Sequence, residues 1–214
     1  IFERPKVKAR IQEVQEFLKP LKPDILCAQD YSTDSEDHNQ EIHGFVRDKL
    51  LLPHRVYRTS SMSTYSRTPI TAYEGQIFSD SQNSYLSVDT TLEGRPVRVF
   101  NLHLQSYQLG KSGGRLQKLK SGLELRAEQA SLVARSIAQS PYPVIVCGDF
   151  NDVPTSYAYR TVGKGLIDGF RQAGRGTAIT YRGAIPGLRI DYIWCSPQLQ
   201  FTDYRHLDGP KFLD

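Results

Sequence analysis

The sequence predicts a layered α/β protein, and three observations support this class. An amphipathic helical pattern is followed by a short apolar, β-branched run in two places, at residues 5–28 and again at residues 123–147. Each of these runs is followed closely by a carboxylate, Asp30 and Asp149. Several strand-like segments lie between the two helix–strand units. Because ligands of layered α/β proteins tend to bind where strands end, both carboxylates are candidate functional groups.

The composition indicates one domain with a mild basic excess. The 214 residues, of which 39% are hydrophobic, are enough for one sizeable core, so we expect residues 1–214 to form a single domain. The net charge of +4 permits a phosphate-bearing partner without requiring one. The three cysteines lie in apolar runs and no pair has metal-ligand spacing, which predicts buried free thiols.

Targeting is not visible in the sequence. No apolar run approaches the roughly 18 residues of a membrane span, and no signal peptide is present. The sequence begins abruptly at Ile1 and stops at Asp214, so we expect the native protein to continue at both ends. The domain itself is expected to be soluble, and a membrane tether or export signal outside it stays open.

The first part of the chain predicts a helix, a strand and a polar loop. Apolar residues recur at helical spacing over residues 5–19, and Pro20 ends the pattern. Residues 24–28 predict a buried strand, which runs into Gln29 and Asp30. Residues 32–43 are polar and acidic and predict a surface loop running into a short helix.

The next segments predict an antiparallel meander. Period-two numbering of its last strand places Asn101, His103 and Gln105 on one face. Such a face can form the polar floor of a groove, and an ordinary exposed sheet face is the alternative. The predicted strands are residues 55–59, 63–66, 75–78, 84–90 and 97–104.

A basic loop and a second helix come next. Residues 110–122 are rich in Gly and Lys and predict a mobile loop that either approaches a phosphate group or is simply solvated. The loop has no Walker pattern. Apolar residues at helical spacing over residues 123–137 predict a helix that carries Arg126 on its flank.

The segment at residues 143–154 is the most informative stretch of the sequence. Val144-Ile-Val-Cys predicts a buried strand that is closed by Gly148 and delivers Asp149 and Asn151 to a sheet edge. A plain turn is the alternative, since Asp, Asn, Gly and Pro are the commonest turn residues.

The last part of the chain predicts one further strand with a charged residue inside it. Residues 155–176 predict a polar helix or loop, and residues 180–182 a short strand. Asp191 lies between apolar neighbours in the strand at residues 189–196, so it must be hydrogen-bonded or paired. Residues 201–207 predict a final edge strand.

Four motifs, in this order and at suitable distances, resemble the endonuclease/exonuclease/phosphatase superfamily, which includes DNase I-like nucleases. The resemblance covers roughly residues 5 to 214. It implies a four-layer α/β sandwich, with two mixed β-sheets face to face flanked by helices, that cuts phosphate esters with Mg²⁺ or Mn²⁺. The motifs are Asp24-Ile-Leu-Cys-Ala-Gln-Asp30, Asn101-Leu-His-Leu-Gln105, Gly148-Asp-Phe-Asn151 and Arg189-Ile-Asp-Tyr-Ile193.

The resemblance also implies roles for single residues. Asp30 stands where the family usually has a metal-binding Glu. His103 would contact the scissile phosphate, and Asp149 would orient or deprotonate the attacking water or help to hold the metal. Asn151 would donate a hydrogen bond to a phosphate oxygen, and Asp191 would hold the ring of a catalytic His.

Further assignments complete the expected site. We expect Asn101, Gln105 and Arg126 to bind the substrate, and Asp30, Asp149 and Asp214 to be the metal ligands. The family's first strand, with its metal-contacting Asn, and its closing Ser-Asp-His motif are both absent from the sequence; Asp214 stands about where the Asp of that motif belongs.

The expected function is that of a divalent-metal-dependent hydrolase of phosphate esters. A divalent cation held by carboxylates would neutralise the anionic ester, and a carboxylate or imidazole would activate the water. A nucleic acid, a phospholipid head group or an inositol phosphate fits equally well as the substrate. We expect a monomer without an obligate protein partner. The alternatives are a non-catalytic binding or scaffold domain and a nucleic-acid-binding module that uses the basic loop.

Overall fold

The fold contains two β-sheets and five helices within the part of the chain that can be described. A computed structural model describes residues 4–31, 36–59, 62–79, 83–106, 115–181, 183 and 187–210. The metal assignment to Asp214 and the predicted loop at residues 110–114 lie outside these ranges.

The first sheet has three antiparallel strands in the order β1-β3-β2. Its middle strand is completely buried, and Ala28 at the end of β1 is paired with Ser63. The chain leaves β1 at this end and reaches Asp30 two residues later. The strands are β1 (Ile25–Ala28), β2 (His54–Thr59) and β3 (Met62–Ser66).

The second sheet has six strands in the order β4-β5-β6-β7-β9-β8. Strands β6 and β7 run parallel, and a helix, α3, connects them, as a parallel pair requires. The neighbouring pairs are antiparallel, so the sheet is mixed. The strands are β4 (Ala72–Ile77), β5 (Ser84–Leu92), β6 (Arg95–His103), β7 (Val144–Asp149), β8 (Ile167–Asp168) and β9 (Asp191–Cys195).

The helices cover the outer faces of both sheets. Val46 and Leu50 pack with Leu18 against the outer face of the first sheet at Tyr65. Ala130 and Val133 pack against Phe100 on the outer face of the second sheet. The helices are α1 (Arg4–Leu18), α2 (Glu36–Asp48), α3 (Arg115–Ala138), α4 (Tyr157–Val162) and α5 (Gly169–Ala173).

A third apolar cluster joins the two sheets to each other. Met62 of the first sheet packs with Leu86, Val88, Val97 and Val99 of the second, and these side chains are at most 2% exposed. The order of layers is therefore helix, sheet, sheet, helix, which confirms the predicted four-layer sandwich. This arrangement brings the C-terminal ends of β1, β6 and β7 and the N-terminal end of β9 to one edge of the space between the two sheets, which is called the cleft.

Several local predictions differ from the structure. The predicted meander is divided between the sheets, because the chain crosses from one to the other between Ser66 and Ala72. Helix α3 already begins at Arg115, so most of the predicted basic loop is helical. No edge strand forms at residues 201–207, where Tyr204 makes a single bridge to Gly174.

The cysteines are free thiols as predicted, but only one of them is fully buried, and no membrane helix is found in the described ranges. Cys27, Cys147 and Cys195 are free thiols, the first two half-buried and the third buried. None of the helices in the described ranges combines the length and the apolar character that crossing a bilayer needs.

Candidate active site

Strand register brings three polar residues into one row. His103 on β6 is directly opposite Asp149 on β7, and Asp149 is directly opposite Asp191 on β9. Residues that are opposite each other in a sheet project from the same face. Val97 and Val99 share the face of His103 and pack against the first sheet, so the row opens into the cleft between the sheets.

Asp30 approaches this row from the other sheet. Its Oδ1 lies 3.5 Å from Nδ1 of His103, and its side chain is 69% exposed. Asp30 has a φ of 48° and Asn151 one of 50°, a left-handed conformation that Asp and Asn tolerate better than most residues. Both residues therefore occupy strained turns directly after a strand, as is common at functional sites.

Gly148 allows β7 to lie close to β6 at the level of the row. Its φ is 143°, and a Cβ atom built on it would lie 2.0 Å from the carbonyl oxygen of Leu102. Only glycine fits this contact without moving the backbone. The close approach sets the position of Asp149 relative to His103.

The turn after β7 is held by hydrogen bonds on both sides. The backbone N–H of Asn151 donates to Oδ1 of Asp149 at 2.6 Å, and Nδ2 of Asn151 donates to the carbonyl of Leu104 at 2.9 Å. Phe150 points into the core, where its ring lies 4.8 Å from that of Trp194. These bonds fix the side chains of Asp149 and Asn151 at the edge of the sheet. The backbone does form a turn here, but a turn alone does not account for the fixed side chains.

Burial and neighbouring carboxylates perturb the titration of Asp149. Burial, followed by the charge of Asp191, raises the pKa of Asp149 to about 7, with a further contribution from Asp30. The hydrogen bond from Asn151 and the charge of Arg126 act in the opposite direction. The cleft thus concentrates negative charge that the nearby protein groups only partly neutralise.

Asp191 and His103 are perturbed in ways that favour their neutral forms. Burial raises the pKa of Asp191, while the Thr180 hydroxyl and His206 lower it. Burial lowers the pKa of His103, and Asp30 offsets part of this effect. A neutral imidazole keeps one ring N–H as a donor and one ring nitrogen as an acceptor.

His206 lies near the row and was not predicted as a site residue from the sequence. Its charge reaches Asp191, although the residue is exposed and lies in no motif. The sequence offered no signal for this proximity, because it depends on the path of the chain after β9.

The three residues expected to bind substrate are buried instead of facing the cleft. Asn101 is fully buried: its Nδ2 donates to the carbonyl of Ser63 at 3.0 Å, and its Oδ1 accepts from Gln29 at 2.5 Å. Gln105 is 4% exposed and lies beyond the end of β6, where its backbone N–H donates to Gln129 of α3.

Arg126 lies behind the site. Its side chain is 1% exposed, its Nε donates to Asp152 at 2.9 Å, and its Nη1 donates to the carbonyl of Gln105. In this structure all three residues support the residues above them, and their expected role in substrate binding stays a prediction.

A divalent cation fits the chemistry of the carboxylates at the cleft. Within the described ranges, no group of three or more His, Cys, Asp or Glu side chains is arranged to hold a metal. Mg²⁺ in enzymes is usually held by one or two carboxylates, with water and substrate phosphates as the remaining ligands. Asp30 and Asp149 provide such hard oxygen donors. Burial is the main cause of the raised pKa of Asp149, and a cation would offset the smaller contributions from the charges of Asp191 and Asp30.

The fold defines the class as a four-layer α/β sandwich with polar residues at its strand ends, and a sequence comparison specifies the family. The chain belongs to the Endonuclease/Exonuclease/phosphatase family, whose profile matches residues 3–212. Members of this family are hydrolases that act on phosphoester bonds. No curated protein matches the chain by sequence.

Solved structures show the same fold at low identity. SmcL is 17% identical with a TM-score of 0.67, over 89% of this chain and 76% of that chain. D. rerio TDP2 complexed with single-strand DNA product is 17% identical with a TM-score of 0.66, over 91% and 80% of the two chains. A beta toxin of Staphylococcus aureus is 16% identical with a TM-score of 0.63, over 89% and 78%. These similarities establish the fold.

Proposed function

We propose that this protein is a divalent-metal-dependent hydrolase of phosphate esters, in which water attacks phosphorus above the row of His103, Asp149 and Asp191. The observation that carries the proposal is the buried carboxylate of Asp149. It lies beside His103 in strand register, and Asp30 faces His103 from the other sheet. The carboxylate of Asp149 is held in place by the hydrogen bond from the backbone N–H of Asn151, and activation of a water molecule requires a carboxylate positioned in this way.

Asp149, His103 and Asn151 each have a distinct part in the reaction. Asp149 orients the attacking water and accepts its proton. His103, kept neutral by burial, donates a ring N–H to a phosphate oxygen. Asn151 has a second amide hydrogen beyond the one that bonds Leu104, and it donates this hydrogen to another phosphate oxygen.

Asp191 and Asp30 complete the proposed site. Asp191 would hold the imidazole of a catalytic histidine, by the logic of hydrogen-bonded triads. Asp30 and Asp149 would hold Mg²⁺ or Mn²⁺, which would supply neutralisation of the phosphate charge. A phosphate ester in a nucleic acid, a phospholipid head group or an inositol phosphate meets these requirements.

The experiment is hydrolysis of bis(p-nitrophenyl) phosphate by the full-length protein with Mg²⁺, Mn²⁺ or EDTA. We expect metal-dependent release of nitrophenol, and a loss of about 10²- to 10⁴-fold in kcat for Asp149→Ala. Asp24→Ala is the matched control. Asp24 is an exposed carboxylate that directly precedes β1, whereas Asp30 follows the other end of that strand. Equal rates for these two variants would contradict the role of Asp149.

A non-catalytic binding or scaffold domain is the second candidate. The observation that favours it is Asp30, which is one methylene shorter than the Glu of the resemblance and joins no three-ligand cluster in the described ranges. Under this hypothesis the wild type hydrolyses no phosphodiester or phosphomonoester with either metal, and Asp30→Glu is the first change expected to restore activity.

A further inference from the structure

A cluster of hydroxyl and aromatic groups surrounds Arg55 on the outer face of the first sheet, next to the proposed site. Tyr31 follows Asp30 directly, yet its hydroxyl is turned towards this outer face, where it lies 2.6 Å from the Ser63 hydroxyl. The chain at residues 30 and 31 therefore forms a rim between the catalytic cleft and the cluster.

Arg55 is held in a fixed position by groups that carry no negative charge. Its Nε donates to Ser63 at 3.1 Å and its Nη2 donates to the Tyr31 hydroxyl at 3.3 Å. Its guanidinium carbon lies 4.6 Å from the ring centre of Tyr57 and 5.7 Å from that of Tyr65. Among the residues that the structure describes, no carboxylate forms an ion pair with Arg55.

The charge of Arg55 affects the pKa of a neighbouring histidine. Burial and then the charge of Arg55 lower the pKa of His43, which bonds the Tyr65 hydroxyl, whereas Glu36 in the first turn of α2 raises it. A half-buried guanidinium without a carboxylate has lost part of its hydration without the compensation of an ion pair. An anion that binds at Arg55 would supply this compensation.

Tyr57 adds an exposed aromatic surface to the same cluster. One face of its ring is covered by Arg55, and the side chain is still 61% exposed. Aromatic rings of this kind, next to basic residues, are the platforms on which the bases of single strands stack. An inositol phosphate or a lipid head group has no flat ring that would use the platform.

We propose that Arg55 and Tyr57 bind a nucleotide that flanks the scissile phosphate of a single-stranded nucleic acid. The guanidinium of Arg55, together with the Tyr31 hydroxyl, binds the phosphate of this nucleotide, and its base stacks on the open face of Tyr57. This inference rests on the proposed function, because it names the substrate class of that site.

Equilibrium binding of a single-stranded oligonucleotide tests the proposal without hydrolysis. Fluorescence anisotropy of a labelled oligothymidine of about eight nucleotides, in EDTA, reports affinity for wild type and variants. We expect Arg55→Gln and Tyr57→Ala each to weaken binding by about fivefold or more. Arg55→Gln should also reduce the slope of log K against log salt concentration by about 0.7, because one phosphate contact is lost.

Two variants from exposed neighbouring positions serve as matched controls. Arg58→Gln removes the same charge from the same strand on its opposite face, where Arg58 bonds the carbonyl of Gly75. Tyr73→Ala removes a ring that is 64% exposed. Both should bind within about twofold of wild type. Thermal unfolding of every variant shows whether it is folded. If Arg55→Gln does not fold, the result for Tyr57→Ala decides the test.

The outcomes separate this proposal from the proposed function. Binding by Arg55→Gln equal to that by Arg58→Gln, or no binding by wild type, would overturn the nucleotide site. Weak binding by Arg55→Gln with unchanged binding by Tyr57→Ala would indicate a site for phosphate alone and would also overturn it. The protein could show the expected binding pattern and yet hydrolyse no ester with Mg²⁺ or Mn²⁺. This result would support the nucleotide site and reject the proposed hydrolase function.

Discussion

Removal of Arg126 should destabilise the protein strongly and reveal its structural role. Arg126 and Asp152 form an ion pair whose side chains are 1% and 7% exposed. Loss of one partner leaves a buried charge uncompensated, which costs about 3–5 kcal/mol. For a domain of this size, 1 kcal/mol corresponds to about 2–4 °C, so Arg126→Met should lower Tm by about 6–20 °C.

Thermal and urea unfolding, followed by circular dichroism, measure this effect. Arg205→Met is the control, because its pair with Asp203 is 75% and 54% exposed and such pairs contribute about 0–1 kcal/mol. The double variant Arg126→Met/Asp152→Leu should recover part of the loss, since no isolated charge stays buried.

One result would refute the reasoning about Arg126. If Arg126→Met unfolds at the same temperature as Arg205→Met but has a raised KM for a phosphate ester, the guanidinium reaches the substrate and its burial is not maintained in solution. The originally expected role in substrate binding would then be correct.

Two further predictions concern stability. Gly148→Ala should destabilise by about 3 kcal/mol or more, because its Cβ would meet the Leu102 carbonyl at 2.0 Å; Gly94→Ala, with a φ of 76° and open space around it, should cost about 1–2 kcal/mol in the same urea titration. Burial alone would raise the pKa of Asp168, but hydrogen bonds led by those from Arg189 hold it below its usual value. Its folded pKa is thus below its unfolded value of about 3.9, so its contribution to stability is complete above that pH and is lost as the pH falls through the folded pKa. In urea unfolding from about pH 6 down to about pH 2, the difference in stability between wild type and Asp168→Asn should shrink as the pH falls.

The row of the proposed site was largely predictable from the sequence. Apolar runs that end in Asp149 or contain Asp191 showed which residues lie at strand ends, and period two placed His103 on a polar face. Their mutual proximity follows from strand order, which local patterns do not encode; the resemblance to a family supplied it.

The buried supports were not predictable, because their partners are distant in sequence. Arg126 occupies a helix flank that a periodic pattern assigns to solvent, and its partner Asp152 comes from the turn after β7. Gln105 follows the period of His103 in the sequence, but β6 ends at His103 and the chain then turns towards α3.

The cluster around Arg55 and Tyr57 could not be predicted from the sequence for a related reason. The sequence of residues 54–59, His-Arg-Val-Tyr-Arg-Thr, predicts only a strand. The outer-face cluster forms because β3 lies between β1 and β2, and local sequence patterns do not encode this strand order.

Asn101 has a mechanical consequence for the cleft. One side-chain amide of the second sheet bonds Gln29, Ser63 and Thr64 of the first, directly below His103 and Asp30. Sliding of one layer over the other would break these bonds together, and the loss would be uncompensated because Asn101, Ser63 and Thr64 are fully buried. These bonds therefore fix the distance between the two sheets. Ligands of different size must be accommodated by the surrounding loops, not by a wider separation of the sheets.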